Sequence, residues 1–214
     1  MRPLATKRHK EIPTAWKFIL ASIIVCVIVL AGSLFYSRWQ RDQDLKKNTY
    51  NGFSIRPNGE LWIAEILVND RLYYVPFYYH PREVENVSVE LGLADQITQA
   101  TARPVIVYIV LDPEAGSKPV IAAVELSRLF GTRYGLLNLP VQSALSRPDP
   151  NAAAEIPIIT CADAKDGALV IVFASGPESR VFHEGDSCIR VEYTSADDSI
   201  RVADRFAYEL LQIM

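Results

Sequence analysis

The segment 105-VIVYIVLDPEAGSKPVIAAVELSRLFG-131 reads as a strand running into a helix. Val105 to Asp112 is a continuous β-branched run, the pattern of a strand covered on both faces. Pro113-Glu114-Ala115-Gly116 is a turn, and Ser117 is placed to cap a helix with Pro119 in its first turn. The helix from Lys118 to Phe130 is apolar on more than one side, so it should be well buried, and Gly131 stops it. Tyr134 to Leu139 (YGLLNL) reads as the next strand. Strand, helix and strand in that order predict a βαβ crossover with parallel pairing.

Upstream, Leu61 to Val68 (LWIAEILV) and Arg71 to Tyr79 (RLYYVPFYY) flank Asn69-Asp70 and read as a β-hairpin, with Pro76 marking an edge or bulge. Downstream, Arg147 to Glu155 is a loop by composition. Ile156–Thr160, Ala168–Ala174, Arg180–His183 and Cys188–Tyr193 are short strand candidates. The short connections at Gly176-Pro177 and Glu184-Gly185-Asp186 predict an antiparallel meander. Ser195-Ala196-Asp197-Asp198 opens a last helix. Its apolar side carries Ile200, Ala203, Phe206, Leu210 and Ile213; Arg201, Asp204, Arg205 and Gln212 fall on the other. The expected fold is therefore α/β: a sandwich with a mixed sheet built from a β-hairpin, βαβ, an antiparallel meander and a C-terminal helix. At fold level this layout is that of a thioredoxin-like domain without the Cys-x-x-Cys redox site.

Phe18 to Ser37 (FILASIIVCVIVLAGSLFYS) has no charge over twenty residues, enough for a helix to cross a bilayer. Trp16 and Lys17 flank one end, and Tyr36, Arg38, Trp39 and Arg41 the other, as interfacial anchors do. The run is too long for the core of a signal peptide and lacks a small-residue cleavage site. The expected organisation is a basic cytoplasmic tail at 1–17, a transmembrane helix at 18–37, a juxtamembrane linker at 38–51 and an extracytoplasmic α/β domain at 52–214. Half of the 214 residues are apolar and 22% are charged, which excludes a disordered chain. The net charge of −3 divides into +6 over residues 1–41 (seven Lys/Arg, one acid) and −9 over the rest (fifteen Lys/Arg, twenty-four acids). A domain that acidic has no electrostatic footprint for nucleic acid. The Lys/Arg bias across the span is slight, so orientation rests on two other features: the glycosylation sequon at Asn86-Val87-Ser88, and the even pair Cys161 and Cys188.

Chemistry-bearing patterns are sparse. Cys161 and Cys188 stand at strand margins and are expected to pair as a disulfide rather than to ligate a metal, having no zinc-type spacing. His9, His80 and His183 show no local ligand spacing and read as exposed tail or turn histidines. Ser175 lacks the first Gly of a nucleophile elbow, and no phosphate-binding Gly motif occurs. Asp112, Glu114 and Ser117 lie at a strand-to-helix turn, where α/β sheets bind ligands. Tyr73, Tyr74, Tyr78 and Tyr79 are dense enough to form an interaction surface. Strand alternation puts Tyr73, Val75, Phe77 and Tyr79 on one face, and Leu72, Tyr74, Pro76 and Tyr78 on the other.

Phe77-Tyr78-Tyr79-His80-Pro81, Ala122 to Pro140 (AAVELSRLFGTRYGLLNLP), Ile158 to Ala164 (IITCADA), Glu184-Gly185-Asp186-Ser187-Cys188 and Arg201 to Met214 (RVADRFAYELLQIM) together resemble a group of uncharacterised single-pass membrane proteins of small-genome archaea. The resemblance implies a small extracytoplasmic membrane component and carries over no functional residues. The expected function is a membrane-anchored interaction or assembly module without catalysis or cofactor, with the lipid bilayer and another membrane or cell-surface protein as partners. The alternatives are a solute- or ion-binding sensor domain, which would need a polar-lined pocket at residues 112–117, and a thiol-redox or hydrolytic enzyme.

Overall fold

A computed structural model describes residues 14–68, 70–101, 105–134, 136–151, 155–165 and 167–214. Residues 1–13 of the expected basic tail, His9 among them, lie outside these; residues 14–17 already belong to the first helix. The chain forms two compact units, divided between Lys47 and Asn48.

The described residues of the first unit form one helix, α1 (Thr14–Lys47, 34 residues). It is about 51 Å long at the usual rise per residue. Its segment Ser22–Arg41 has a mean hydropathy of 1.7, none of it buried, and is long and apolar enough to cross a membrane. The hydroxyls of Ser33 and Ser37 donate to the carbonyls of Leu30 and Leu34, so neither is left unbonded within that segment.

The second unit begins inside the expected linker. β1 (Thr49–Tyr50), β2 (Phe53–Asn58), β3 (Leu61–Val68) and β4 (Arg71–Phe77) form an antiparallel sheet in that order. The β3–β4 hairpin is as predicted, whereas β1 and β2 are not. Residues 40–51 read as a linker or as an exposed extension of the helix; the helix extends to Lys47, and Thr49 already pairs with Ser54. Next come α2 (Pro81–Val84), β5 (Ser88–Val89) and α3 (Leu93–Thr101). β6 (Ile106–Leu111) and α4 (Ser117–Phe130) follow as predicted, except that Gly116, at φ +80°, occupies the cap and Ser117 is the first helical residue. The remainder is β7 (Val141–Leu145), β8 (Ala168–Ser175), β9 (Arg180–Gly185), β10 (Cys188–Tyr193) and α5 (Asp198–Leu210).

The second sheet has six strands in the order β5-β9-β10-β8-β6-β7. β7, β6, β8 and β10 run parallel, and β9 runs antiparallel to β10. Three expectations are corrected here. The strand after α4 is Val141–Leu145, not 134–139; Tyr134, Leu136 and Leu139 fill the core from an irregular connection instead. Residues 156–160 make only a bridge, Ile158 to Leu145. Residues 168–193 are not a meander: β10 inserts between β8 and β9, parallel to β8. The sequential order β8-β9-β10 of the expected layout is therefore not found among the described residues, although β9 and β10 themselves pair as an antiparallel hairpin. Composition explains the insertion. Leu169 to Phe173 are all buried and need pairing at both edges, which β6 and β10 supply, and cover on both faces, which the main core gives on one side and Ile159 and Cys161 on the other.

One core joins three layers. Ile55, Ala64, Ile66, Val75 and Phe77 point from the first sheet; Val107, Ile109, Leu169, Ile171, Phe173, Ile189 and Val191 point from the second. Between them pack Leu126, Phe130, Val202 and Phe206 of α4 and α5. Phe77 stacks on Tyr208 at 4.1 Å, and Tyr208 donates to the Tyr79 carbonyl at 2.7 Å. α4 is less buried than expected: Ala122, Ala123, Leu126, Leu129 and Phe130 are buried, but Val120 and Val124 are exposed, at 45% and 42%. Asp204 corrects the expected polar side of α5: it is 3% exposed and accepts the backbone N–H groups of Tyr78 and Tyr79 at 2.9 and 2.8 Å. The far face of the six-stranded sheet has a smaller apolar cluster of Val110, Ala144, Val170, Val172 and Cys188, partly covered by Ile159 and Cys161.

Candidate functional site

β7, β6, β8 and β10 end side by side at Leu145, Leu111, Ser175 and Tyr193, and all point the same way. From β6 the chain passes through α4 to β7 on one side, then returns to β8 on the other. That reversal leaves a crevice outside the carboxyl ends of β6 and β8, the place where open α/β sheets bind ligands. A cleft of about 790 Å³ occupies it, within the range of small-molecule sites. Val172 and Ala174 of β8 contribute apolar floor. The segment after β7 forms a wall, tied down where Leu145 and Ile159 exchange backbone bonds with Pro157 and Leu145.

One wall follows directly from turn chemistry. Asp112 accepts the N–H of Glu114 at 2.8 Å through its side chain and that of Ala115 at 3.0 Å through its carbonyl, which closes the turn after β6. Arg147, just beyond β7, donates to both oxygens of Asp112 at 3.1 and 3.0 Å and reaches Glu114 at 2.9 Å. The guanidinium, and then the Glu114 N–H, hold the Asp112 carboxyl below the usual range; the same two carboxylates push Arg147 up. On the opposite wall Arg190 grips Glu184 with bonds of 2.6 and 2.7 Å. Each pair is bidentate, a geometry that orients both partners. The cleft thus carries three carboxylates against two guanidiniums, with the hydroxyls of Ser146, Thr160, Ser175 and Ser195 around them. Tyr193 also lines it. Burial first, and then the Asp112 charge, push its phenol up.

Cys161 and Cys188 form a disulfide, as expected, with Cα atoms 5.3 Å apart. It fastens the wall segment to β10. Thr160 and Asp163 lock the short turn that carries Cys161, through bonds from the Thr160 N–H and hydroxyl to the Asp163 carboxylate at 2.8 and 2.9 Å. Those donors hold the Asp163 carboxyl below its ordinary value.

Of the predicted ligand turn, Asp112 and Glu114 line the cleft, and Ser117 does not. Arg147, Glu184, Arg190 and Tyr193 line it too, without any local sequence signal. They lie in separate segments, and no spacing in the sequence connects them. The tyrosines divide by strand alternation: Tyr74 is 58% exposed and Tyr78 is also exposed, while Tyr73 and Tyr79 pack against the core. Tyr73 and Tyr79 are therefore not open surface. Asn86 is exposed between α2 and β5, with its side-chain oxygen accepting from Arg201 at 2.9 Å. His80 and His183 are not exposed turn residues. His80 is buried, caps α2 through Nδ1 and meets the Trp62 ring at 4.7 Å; His183 lies 3.3 Å from Glu90.

No family model, no curated protein and no solved structure matches the chain.

Proposed function

We propose that the chain is a membrane-anchored, extracytoplasmic domain that binds a small polar solute in the cleft at the carboxyl ends of β6 and β8. The observation that carries this reading is the cleft itself: an open volume at the point where the strand order reverses, with an apolar floor and charged, oriented walls. Three carboxylates against two guanidiniums favour a neutral or cationic solute, rich in hydroxyl or amide groups, over an anion. The anchor reading is supported by the apolar helix at Ser22–Arg41. The outside orientation is supported by the disulfide and the exposed Asn86.

The test is a thermal-shift screen of the full-length protein in detergent against polar solutes. A ligand that binds only the folded state raises the melting point. The reading expects a hit that is lost in Ala174→Trp, which fills the floor. A hit that Ala174→Trp leaves intact would place binding elsewhere and refute it. Protease added to intact cells checks the orientation: it should remove the second unit and leave α1.

A second reading, docking to another membrane or cell-surface protein, is favoured by the outer face of the β3–β4 hairpin. There Leu67 and Leu72 face each other across the strands, 67% and 51% exposed, beside Tyr74. Crosslinking at Tyr74 in native membranes should then yield one discrete adduct.

A further inference from the structure

The cleft holds a second constellation, which shares Glu184 and Arg190 with the solute reading and adds the two cysteines. Cys161 Sγ, Cys188 Sγ and a Glu184 carboxylate oxygen all lie within 4.8 Å of one another. They come from three elements: the turn after residue 160, the start of β10 and the end of β9. We propose that, once the disulfide is reduced, these three side chains form a binding site for a thiophilic divalent cation such as Zn²⁺, and that disulfide and metal are alternative occupants of one site.

The distances suit it. Zinc bonds of about 2.3 Å to sulfur and about 2.0–2.2 Å to a carboxylate oxygen put tetrahedral ligands roughly 3.3–3.8 Å apart. Glu184 Oε2 already stands 3.2 Å from Cys161 Sγ. The Cα atoms of the two cysteines, 5.3 Å apart, let their sulfurs move from bonding distance to that spacing by side-chain rotation.

The surroundings suit it too. Arg190 fixes the Glu184 carboxylate from the side at 2.6 and 2.7 Å, the orienting role that second-layer groups play at metal sites. Charges balance: two thiolates and one carboxylate against a dication leave one negative charge, which the Arg190 guanidinium offsets. Cys188 is fully buried, while Cys161 and Glu184 line the cleft. A fourth position would therefore open to the cleft, as at three-ligand zinc centres. The electron count closes. A dithiol reductant gives two electrons and two protons to the disulfide and leaves as a cyclic disulfide. Metal binding then displaces the two thiol protons into solvent.

The experiment uses the full-length chain in detergent, with Cys26→Ser as background so that both remaining thiols belong to this site. A phosphine serves as reductant, taking oxygen from water as it becomes the phosphine oxide. Co²⁺ is titrated in. The reduced protein should show thiolate-to-cobalt absorption saturating at one Co²⁺ per chain, and the oxidised protein none. Glu184→Gln should weaken binding on the order of tenfold or more, and Arg190→Gln by a smaller factor. Near-UV circular dichroism follows folding in parallel; if reduction loosens the domain, Co²⁺ should restore its melting transition. The proposal is overturned by any of three results: no thiolate-to-metal band, equal affinity in Glu184→Gln, or a reduced chain whose melting transition Co²⁺ does not restore.

Discussion

Asp204 makes the native fold sensitive to pH in a calculable direction. It sits on α5 with 3% exposure and receives two backbone N–H bonds from the end of β4. Those donors favour the carboxylate. Burial opposes them and is the larger effect, aided by the charge of nearby Glu125, so the carboxyl is pushed up to about 8. In the unfolded chain an aspartate titrates near 3.9. The folded value is raised, so the stabilising contribution is fully present below about 3.9 and is lost as pH rises through about 8. Across that window the native state retains a proton that the unfolded state has released. The slope is at most about 1.4 kcal/mol of stability lost per pH unit. Asp204→Asn keeps an acceptor for Tyr78 and Tyr79 but cannot titrate. Denaturant unfolding of the full-length protein, followed by near-UV circular dichroism at a series of pH values from 5 to 9, measures both proteins. The wild type should lose stability relative to Asp204→Asn up to about pH 8, and the difference should then level off. Every other ionisable group is common to both proteins, so its contribution cancels to first order. Parallel slopes from pH 5 to 8 would mean that native Asp204 is ionised, and that the two N–H bonds outweigh burial.

Phe206 is fully buried, with its ring 6.5 Å from Phe130; Phe206→Ala should cost about 3–5 kcal/mol in the same unfolding assay. A side chain on Gly176 would place its Cβ 2.2 Å from Glu192 Cδ, so Gly176→Ala should be destabilising, and Glu192→Ala in the same chain should recover most of the loss. Alkylation under denaturing, non-reducing conditions should label Cys26 alone, and Cys161→Ala with Cys188→Ala should lower stability by about 2–4 kcal/mol.

Elements specified by sequence neighbours are legible in the chain itself. The β-branched run of β6, the turn at Asp112, the Ser-x-Pro start and Gly131 stop of α4 and the amphipathic pattern of α5 each involve neighbours in sequence, so their signals survive without knowledge of the fold. The same holds for the β3–β4 hairpin and the alternation that exposes Tyr74 and buries Val75 and Phe77. The errors share one cause. Leu136 and Leu139 are apolar because the core needs them, yet they make no strand ladder, so apolar content alone misplaced β7. Asp204 fits the polar period of its helix but meets two unpaired N–H groups that only packing against β4 brings near.

The sequence by itself determined that an apolar helix precedes an acidic α/β unit, that β6 feeds α4, and that Cys161 and Cys188 suit a disulfide. Each follows from composition, from period, or from pairing of the cysteines outside the apolar helix. Only the tertiary structure decided that β10 lies between β8 and β9, and that the carboxyl ends of four parallel strands meet there. The site depends on that choice. Asp112 and Arg147 are 35 positions apart, and Glu184 meets both Arg190 and Cys161 across separate elements. Such contacts are set by which strands pair. Pairing is governed by how each strand's two faces are covered, a property of the assembled sheet that no single segment contains.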